Sequence, residues 1–382
     1  MIASPAARLR AFFFIQFMAV GMINAFGGIW FAARGLSETQ IGLIGSATIV
    51  AMLAVLSVSG RLADKAPDWR QAIILGMGAA GFLPILLIWA DGFWQILLVW
   101  VAAATAQAIA VPVVDAAGIR LARREGLDFG ALRGLATAGY LLVILVAGYL
   151  LSGLGLTLFL PLFIGFALLR FGVALTLPPL RDQTVTRSAP APLTGRFAPW
   201  FFLPLLGWAF LDVNHIILNS FQGLLWSQAG LGTGLIGALI ALGALAEAVM
   251  FFRFRAVSRR FAPLTLLILA GVFGALRWVG LALTTDPVLL FGLQIMHALS
   301  YAMGFLAITN FIADRTSEDN AAEAQSFLLL LEMLIRVPAL LAFGWVAASY
   351  GSLAYLGCLI LSVFGLGCLV AARRQIAPEL TV

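Results

Sequence analysis

Apolar runs of roughly 20 residues, each long enough to span a bilayer as a helix, recur along this chain. They lie near 12–33, 41–60, 71–90, 95–117, 133–152, 156–176, 199–222, 233–252, 262–284, 287–311, 325–347 and 351–372. In lipid every backbone N–H and C=O must be satisfied inside the protein, so only helices and closed barrels cross, and runs this continuous are helices. That one feature predicts an all-α membrane protein with twelve transmembrane helices. Composition agrees. Of 382 residues, 62% are hydrophobic and 10% charged, where a soluble domain carries about 25% charge, and the mean hydropathy is +1.05. An ordinary soluble globule is excluded, and the lipid bilayer is the first expected partner. The net charge of +6 is no nucleic-acid signature, because the basic residues gather in loops on one side. Cys358 and Cys368 make neither a metal-binding spacing nor a disulfide framework, so no metal and no cofactor is expected. Arg8 and Arg10 precede an apolar stretch, as in a signal peptide, but Phe12 to Ala33 is long enough to span and is read as the first helix.

Orientation follows from arginine and lysine placement. Basic residues precede the first span and fill the loops after spans 2, 4, 6, 8, 10 and 12, from Arg61 and Lys65 to Arg373 and Arg374, while the opposite loops carry only Arg34. Both termini are therefore expected in the cytoplasm, with the chain in a bacterial inner membrane. The stretch Pro178–Ala198 is the one long connection. It is polar and rich in Pro, Ser and Thr, as a linker is. It divides the chain into residues 1–177, a six-helix bundle, a cytoplasmic linker over 178–198, and residues 199–382, a second six-helix bundle. The halves repeat: Gly35-Leu36 followed by Ile41-Gly42 reappears 195 positions on as Gly230-Leu231 followed by Ile236-Gly237. Two parallel-related halves around a central cavity are the architecture this predicts.

Charge at bilayer depth is costly and normally faces a protein interior, pairs, and marks a transport path. Glu247, Arg277 and His297 each sit inside an apolar run. They read as a coupling centre, or more blandly as buried ion pairs. Asp212, His215 and Asn219 are spaced i, i+3, i+7 in the seventh span and share a face. That stripe lines a cavity or hydrogen-bonds neighbouring helices. Glu332 and Arg336, at i, i+4, read as a local structural pair or a functional one. Trp89, Trp94 and Trp226 suit an interfacial belt, while Phe26, Trp30, Tyr140 and Trp278 suit a cavity friendly to aromatics or simple packing.

Gly60-Arg61-Leu62-Ala63-Asp64-Lys65, between the second and third spans, resembles the G-x-x-x-D-[RK] signature of the major facilitator superfamily. The resemblance implies that Gly60, Asp64 and Lys65 gate the conformational change. Otherwise the segment is a positive-inside loop. The resemblance narrows to the phenylpropionate permease branch, related to the lactose permeases and the nucleoside–proton symporters. It rests on Gly35-Leu36 with Ile41-Gly42, Pro112-Val113-Val114-Asp115, Leu127-Asp128-Phe129-Gly130 with Arg133, Ala246-Glu247, Leu276-Arg277-Trp278 and Gln294-Ile295-Met296-His297. It implies substrate contact for Asp115 and Arg133, which otherwise form a salt bridge at the cytoplasmic rim. Where the branch carries Trp-Gly-Ser after the arginine, this chain has Gly134-Leu135-Ala136-Thr137.

The expected function is secondary active transport by alternating access: proton-coupled symport of a small organic solute such as an aromatic acid, phenylpropionate for example. Alternatives are proton-antiport efflux of an amphiphile and sugar or nucleoside–proton symport. The proton goes to Glu247, with Arg277 and His297 as its partners. Asp115, Arg133, Asp212, His215, Asn219 and Trp278 are the candidate substrate contacts. An enzyme is not expected, because no nucleophile constellation or metal cluster is present, and no P-loop supports ATP-driven transport. The expected partners are a small-molecule substrate, a proton and lipid, and the expected state is a monomer.

Overall fold

The computed structural model describes residues 4–65, 69–127, 129–178, 198–316 and 321–376; for 56–65, 69, 109, 111–113, 115–124, 129–130, 321 and 322 it describes the backbone alone. The linker 178–198 lies outside the described residues except for its two ends. All twelve expected runs fall on helix. These are α1 Pro5–Ala33, α2 Glu38–Lys65, α3 Trp69–Phe82 tightening into a 3-10 turn over Leu83–Ile88, α4 Phe93–Arg124, α5 Phe129–Leu154 and α6 Phe159–Ala174. They continue with α7 Pro199–Gln228, α8 Thr233–Ser258, α9 Pro263–Leu283, α10 Pro287–Ala313, α11 Ala321–Tyr350 and α12 Tyr355–Ile376. No strand occurs among the described residues.

Local sequence explains the starts and stops. Proline opens α1, α9 and α10 in the first turn, where its missing N–H costs nothing. Asp286 caps α10 by accepting from the Val288 and Leu289 amides, and Ser37 and Gln40 cap α2 reciprocally. The internal repeat is visible as one recurring turn. At the end of α1, Gly35 N–H bonds the Ala32 carbonyl (2.9 Å) and Leu36 N–H the Phe31 carbonyl (3.1 Å). At the end of α7, Gly230 and Leu231 bond Ser227 and Trp226 in the same way, each at 3.0 Å. Gly35 and Gly230 have φ of +82° and +91°, the left-handed closure that glycine alone takes without strain.

The chain forms two compact units. The first comprises Met1–Thr186 with Gln222–Ala238, the second Arg187–Phe221 with Leu239–Val382. The hairpin end of α7 and α8 thus groups with the first unit, where Gly223 abuts the Ala25 carbonyl and Gly237 the backbone of Ile144. The first unit's core joins Leu9, Phe12 and Phe13 of α1 to Ile73 and Met77 of α3 and Leu132 of α5. The second unit's core joins Leu205 and Trp208 of α7 to Leu267 of α9, Phe311 of α10 and Leu369 of α12. Large apolar side chains such as Leu75, Phe252 and Val288 are left exposed. In water such a surface is an aggregation liability, while lipid solvates it. Trp89 and Trp94 are exposed near helix ends as a belt requires, but Trp226 is buried and is not part of it.

Candidate functional site

The second unit brings Glu247 of α8, Arg277 of α9 and His297 of α10 together. Arg277 is 1% exposed. Its guanidinium points three ways: Nε donates to the Leu293 carbonyl (2.9 Å), Nη2 to Gln294 Oε1 (2.6 Å), and Nη1 lies 3.3 Å from His297 Nδ1. Its charge also sits 5.1 Å from the Trp278 ring centroid. His297 Nε2 lies 3.4 Å from Glu247 Oε2, and these side chains are 16% and 25% exposed.

These contacts assign the tautomer. A guanidinium has donors only, so the nitrogen facing it, Nδ1, accepts. The ring proton is then on Nε2, aimed at the Glu247 carboxylate. His297 therefore relays between the arginine and the acid, which do not touch directly. Local structure makes this possible. A π-helical turn over Ala298–Ala302 follows His297 and widens α10, and such turns often mark functional sites. It stacks His297 on Tyr301, centroids 5.3 Å apart with planes at 16°, while His215 of α7 lies 4.8 Å from Tyr301 and 5.3 Å from His297.

A second charge group lies beside the first. Arg336 pairs with Asp212 of α7 and, at 3.0 Å, with Glu332 one turn back on α11. The expected local pair is thus part of a three-membered bridge joining two helices. Within the described interior of this unit, three carboxylates (Asp212, Glu247, Glu332) share two guanidiniums (Arg277, Arg336).

The other expected residues fall variously. His215 is buried, with Nδ1 3.2 Å from the Leu211 carbonyl and Nε2 3.4 Å from Ser300 Oγ. Asn219, expected on the same face, is exposed while Asp212 and His215 are buried. Trp278 has no exposed surface and its indole N–H donates to Ser362 (3.0 Å), which also accepts from Asn214 (3.1 Å). In this structure it backs the cluster, and Phe26 and Trp30 are buried packing groups likewise. Arg133 is exposed, its guanidinium 5.6 Å from the Phe17 ring. Asp115 lies on α4, and Gly60, Asp64 and Lys65 close α2; their side chains are outside the described residues. Sequence reasoning left Gln294, Tyr301 and Ser362 without roles. Gln294 and Tyr301 had a signal, standing at i−3 and i+4 from His297. Ser362 had none.

Paired charge buried in apolar, membrane-length helices defines a solute carrier. The chain belongs to the MFS_1-like family of the major facilitator superfamily, whose family model matches residues 6–334, and it is a membrane transporter of that type rather than an enzyme. It is similar to a protein of Escherichia coli (strain K12) described as a probable 3-phenylpropionic acid transporter, 25% identical over 333 residues, covering 84% of this chain and 85% of that protein. It is also similar to a maltose permease of Geobacillus stearothermophilus, 26% identical over 310 residues, covering 76% of this chain and 77% of that one. Among solved structures, the nucleoside transporter NupG superposes with a TM-score of 0.82 at 17% identity, covering 98% of this chain and 99% of that one. A bacterial homologue of the human lysosomal transporter Spinster, inward-facing and unoccupied, superposes with a TM-score of 0.73 at 17% identity, covering 97% and 96%. At those identities the two structures speak for the fold alone.

Proposed function

We propose that this chain is a proton-coupled symporter that takes up a small organic acid, an aromatic acid such as phenylpropionate, by alternating access in the bacterial inner membrane. The observation that carries the reading is the relay from Glu247 through His297 to Arg277. With three interior carboxylates to two guanidiniums, one proton on Glu247 leaves the group neutral, and a neutral interior is the cheaper one to move through a bilayer. The relay also transmits that proton. A proton taken up at His297 Nδ1 lets the ring hand its Nε2 proton to Glu247 Oε2, which leaves the Nε2 lone pair facing the protonated acid and the new proton on Nδ1. It then opposes the Arg277 N–H, and the arginine is released to a new partner.

Around this centre, Asp212, His215 and Asn219 form the second-half substrate side with Trp278 packed behind them, and Asp115 with Arg133 the first-half side. Gly60, Asp64 and Lys65 gate the change of state. The protein works as a monomer of two six-helix bundles, 1–177 and 199–382, with both termini cytoplasmic. The name of the Escherichia coli relative supports the acid substrate. A second reading, symport of a neutral sugar or nucleoside, is favoured by the maltose permease relative.

Uptake of labelled 3-phenylpropionate, maltose and uridine into vesicles with an imposed pH gradient separates the two readings. Glu247→Gln keeps the shape of the side chain and cannot titrate. It is expected to abolish accumulation against a gradient while exchange of substrate survives. Wild-type accumulation by that variant would remove Glu247 from the mechanism.

A further inference from the structure

In the first unit, Trp30 of α1 stacks on Trp100 of α4 (6.4 Å) and on Phe159 of α6 (5.6 Å), and Trp100 stacks on Phe163 of α6 (5.6 Å). Further along the same three helices, Phe12 and Phe13 of α1, Ala110 of α4 and Ala174 of α6 share one core. Between these two apolar ends each helix carries one buried polar group that meets no partner among the described residues: Gln16 Nε2 on α1, Thr105 Oγ1 on α4, and Arg170 Nε and Nη1 on α6. At about 1.5 Å rise per residue the three stand roughly 4 to 8 Å from the shared core, one level of the unit.

Arg170 is the anomaly. It is 1% exposed and among the largest fully buried side chains, yet its guanidinium has no acceptor among the described residues. In the second unit, by contrast, the guanidinium of buried Arg277 and that of half-buried Arg336 each meet acceptors, with only Arg336 Nε left over. Among the described side chains, no carboxylate lies in the first unit's apolar interior. A guanidinium and an amide N–H₂ only donate, and a hydroxyl does either. The matching occupant is a desolvated anion with two acceptor oxygens in a plane, which the arginine fork reads bidentately.

We propose that Arg170, with Gln16 and Thr105, is the carboxylate-binding site of the first unit. It is shut in this structure, and alternating access opens it. The proposal rests on the organic-acid reading above and names where the acid group is held. The second unit then carries the proton and the first carries the substrate's charge.

The test is thermal unfolding of the purified full chain at matched ionic strength with 3-phenylpropionate, benzoate or acetate, and with 3-phenylpropanol as the neutral counterpart. The carboxylates are expected to raise the wild-type Tm and the alcohol not. Arg170→Met removes a buried charge with no partner, so its ligand-free Tm should rise and the carboxylate shift vanish. Affinity should fall at least about tenfold, as loss of a bidentate charged pair implies. Gln16→Leu, which leaves the charge in place, should weaken the shift in part. It keeps the proposal testable should Arg170→Met fail to fold. A wild type stabilised by none of the acids overturns the site. So does an Arg170→Met protein with a lowered ligand-free Tm and an undiminished carboxylate shift, which would mean that Arg170 pairs with an acid of its own chain. Glu247→Gln should keep the full carboxylate shift. If that variant still accumulates substrate, the proton assignment falls and the anion site stands.

Discussion

Arg277 uses all sides of its guanidinium: a backbone carbonyl, an amide oxygen and a histidine nitrogen lie in three directions. A lysine ammonium keeps the charge and cannot span that fork. Arg277→Lys is therefore expected to lose most transport, and each missing charge-assisted bond should lower stability by about 1.5–3 kcal/mol. Uptake and thermal unfolding measured on one preparation check both. Arg336 sets a contrast. Arg336→Met leaves Asp212 and Glu332 at bilayer depth without their cation, at a cost of roughly 3–5 kcal/mol. Glu332→Gln leaves the Asp212–Arg336 pair intact and should cost only about 1 kcal/mol. Equal losses of Tm would show that the bridge from α11 to α7 does not hold the unit together. The rule that flags charge inside apolar runs found every member of both groups. It found the Glu332–Arg336 pair but not the bridge to Asp212, which lies 124 residues from the arginine that it holds.

At the scale of elements, α7 and α12 approach through a pair of glycines. A Cβ added at Gly365 would sit 2.8 Å from the Gly207 carbonyl, and one at Gly207 would sit 3.0 Å from the Gly365 carbonyl. Two positions on, a Cβ at Gly367 meets nothing within 4 Å. Alanine in a helix is favoured over glycine by about 1 kcal/mol. Gly367→Ala should thus leave the Tm level or raise it, and Gly365→Ala should lower it by prising the helices apart. If both variants shift the same way, close approach does not govern this crossing. Run length and proline placement made the helices legible. The widened turn in α10 was not, since nothing in Ala298-Leu299-Ser300-Tyr301-Ala302 distinguishes a π-helical turn from an α-helical one. That turn sets the register of His297 against Tyr301, so the shape of the site rests on packing rather than on local preference.

For the whole molecule, few packed groups are expected between Pro178 and Ala198, and chains tolerate breaks at such places. Halves split near Ser188 and co-expressed are expected to assemble and to transport at a rate near that of the intact chain. Halves that assemble only when the break is moved into the 222–238 hairpin would place the functional boundary there. That alternative follows from the compact units, which assign Gln222–Ala238 to the first. Sequence periodicity cannot see such an assignment, because a helix that belongs to one unit at its start and to another at its end reads as one apolar run.

What the sequence determined by itself is the class of molecule. Lipid offers the backbone no hydrogen bonds, so long apolar runs have one solution. Burying charge is expensive enough that Glu247, Arg277 and His297 stood out from their neighbours without any neighbour being known. The tertiary structure decided which of these charges meet. It set His297 between an acid and an arginine, gave Arg336 two acids, closed Trp278 into the core and left Arg170 without an acceptor among the described residues. Arg170 was visible to the same rule, as one charge in the run Phe159–Ala174, but only packing separates a charge with a partner from one without. Partnership depends on contacts between residues distant in the chain, and one-dimensional pattern does not encode them.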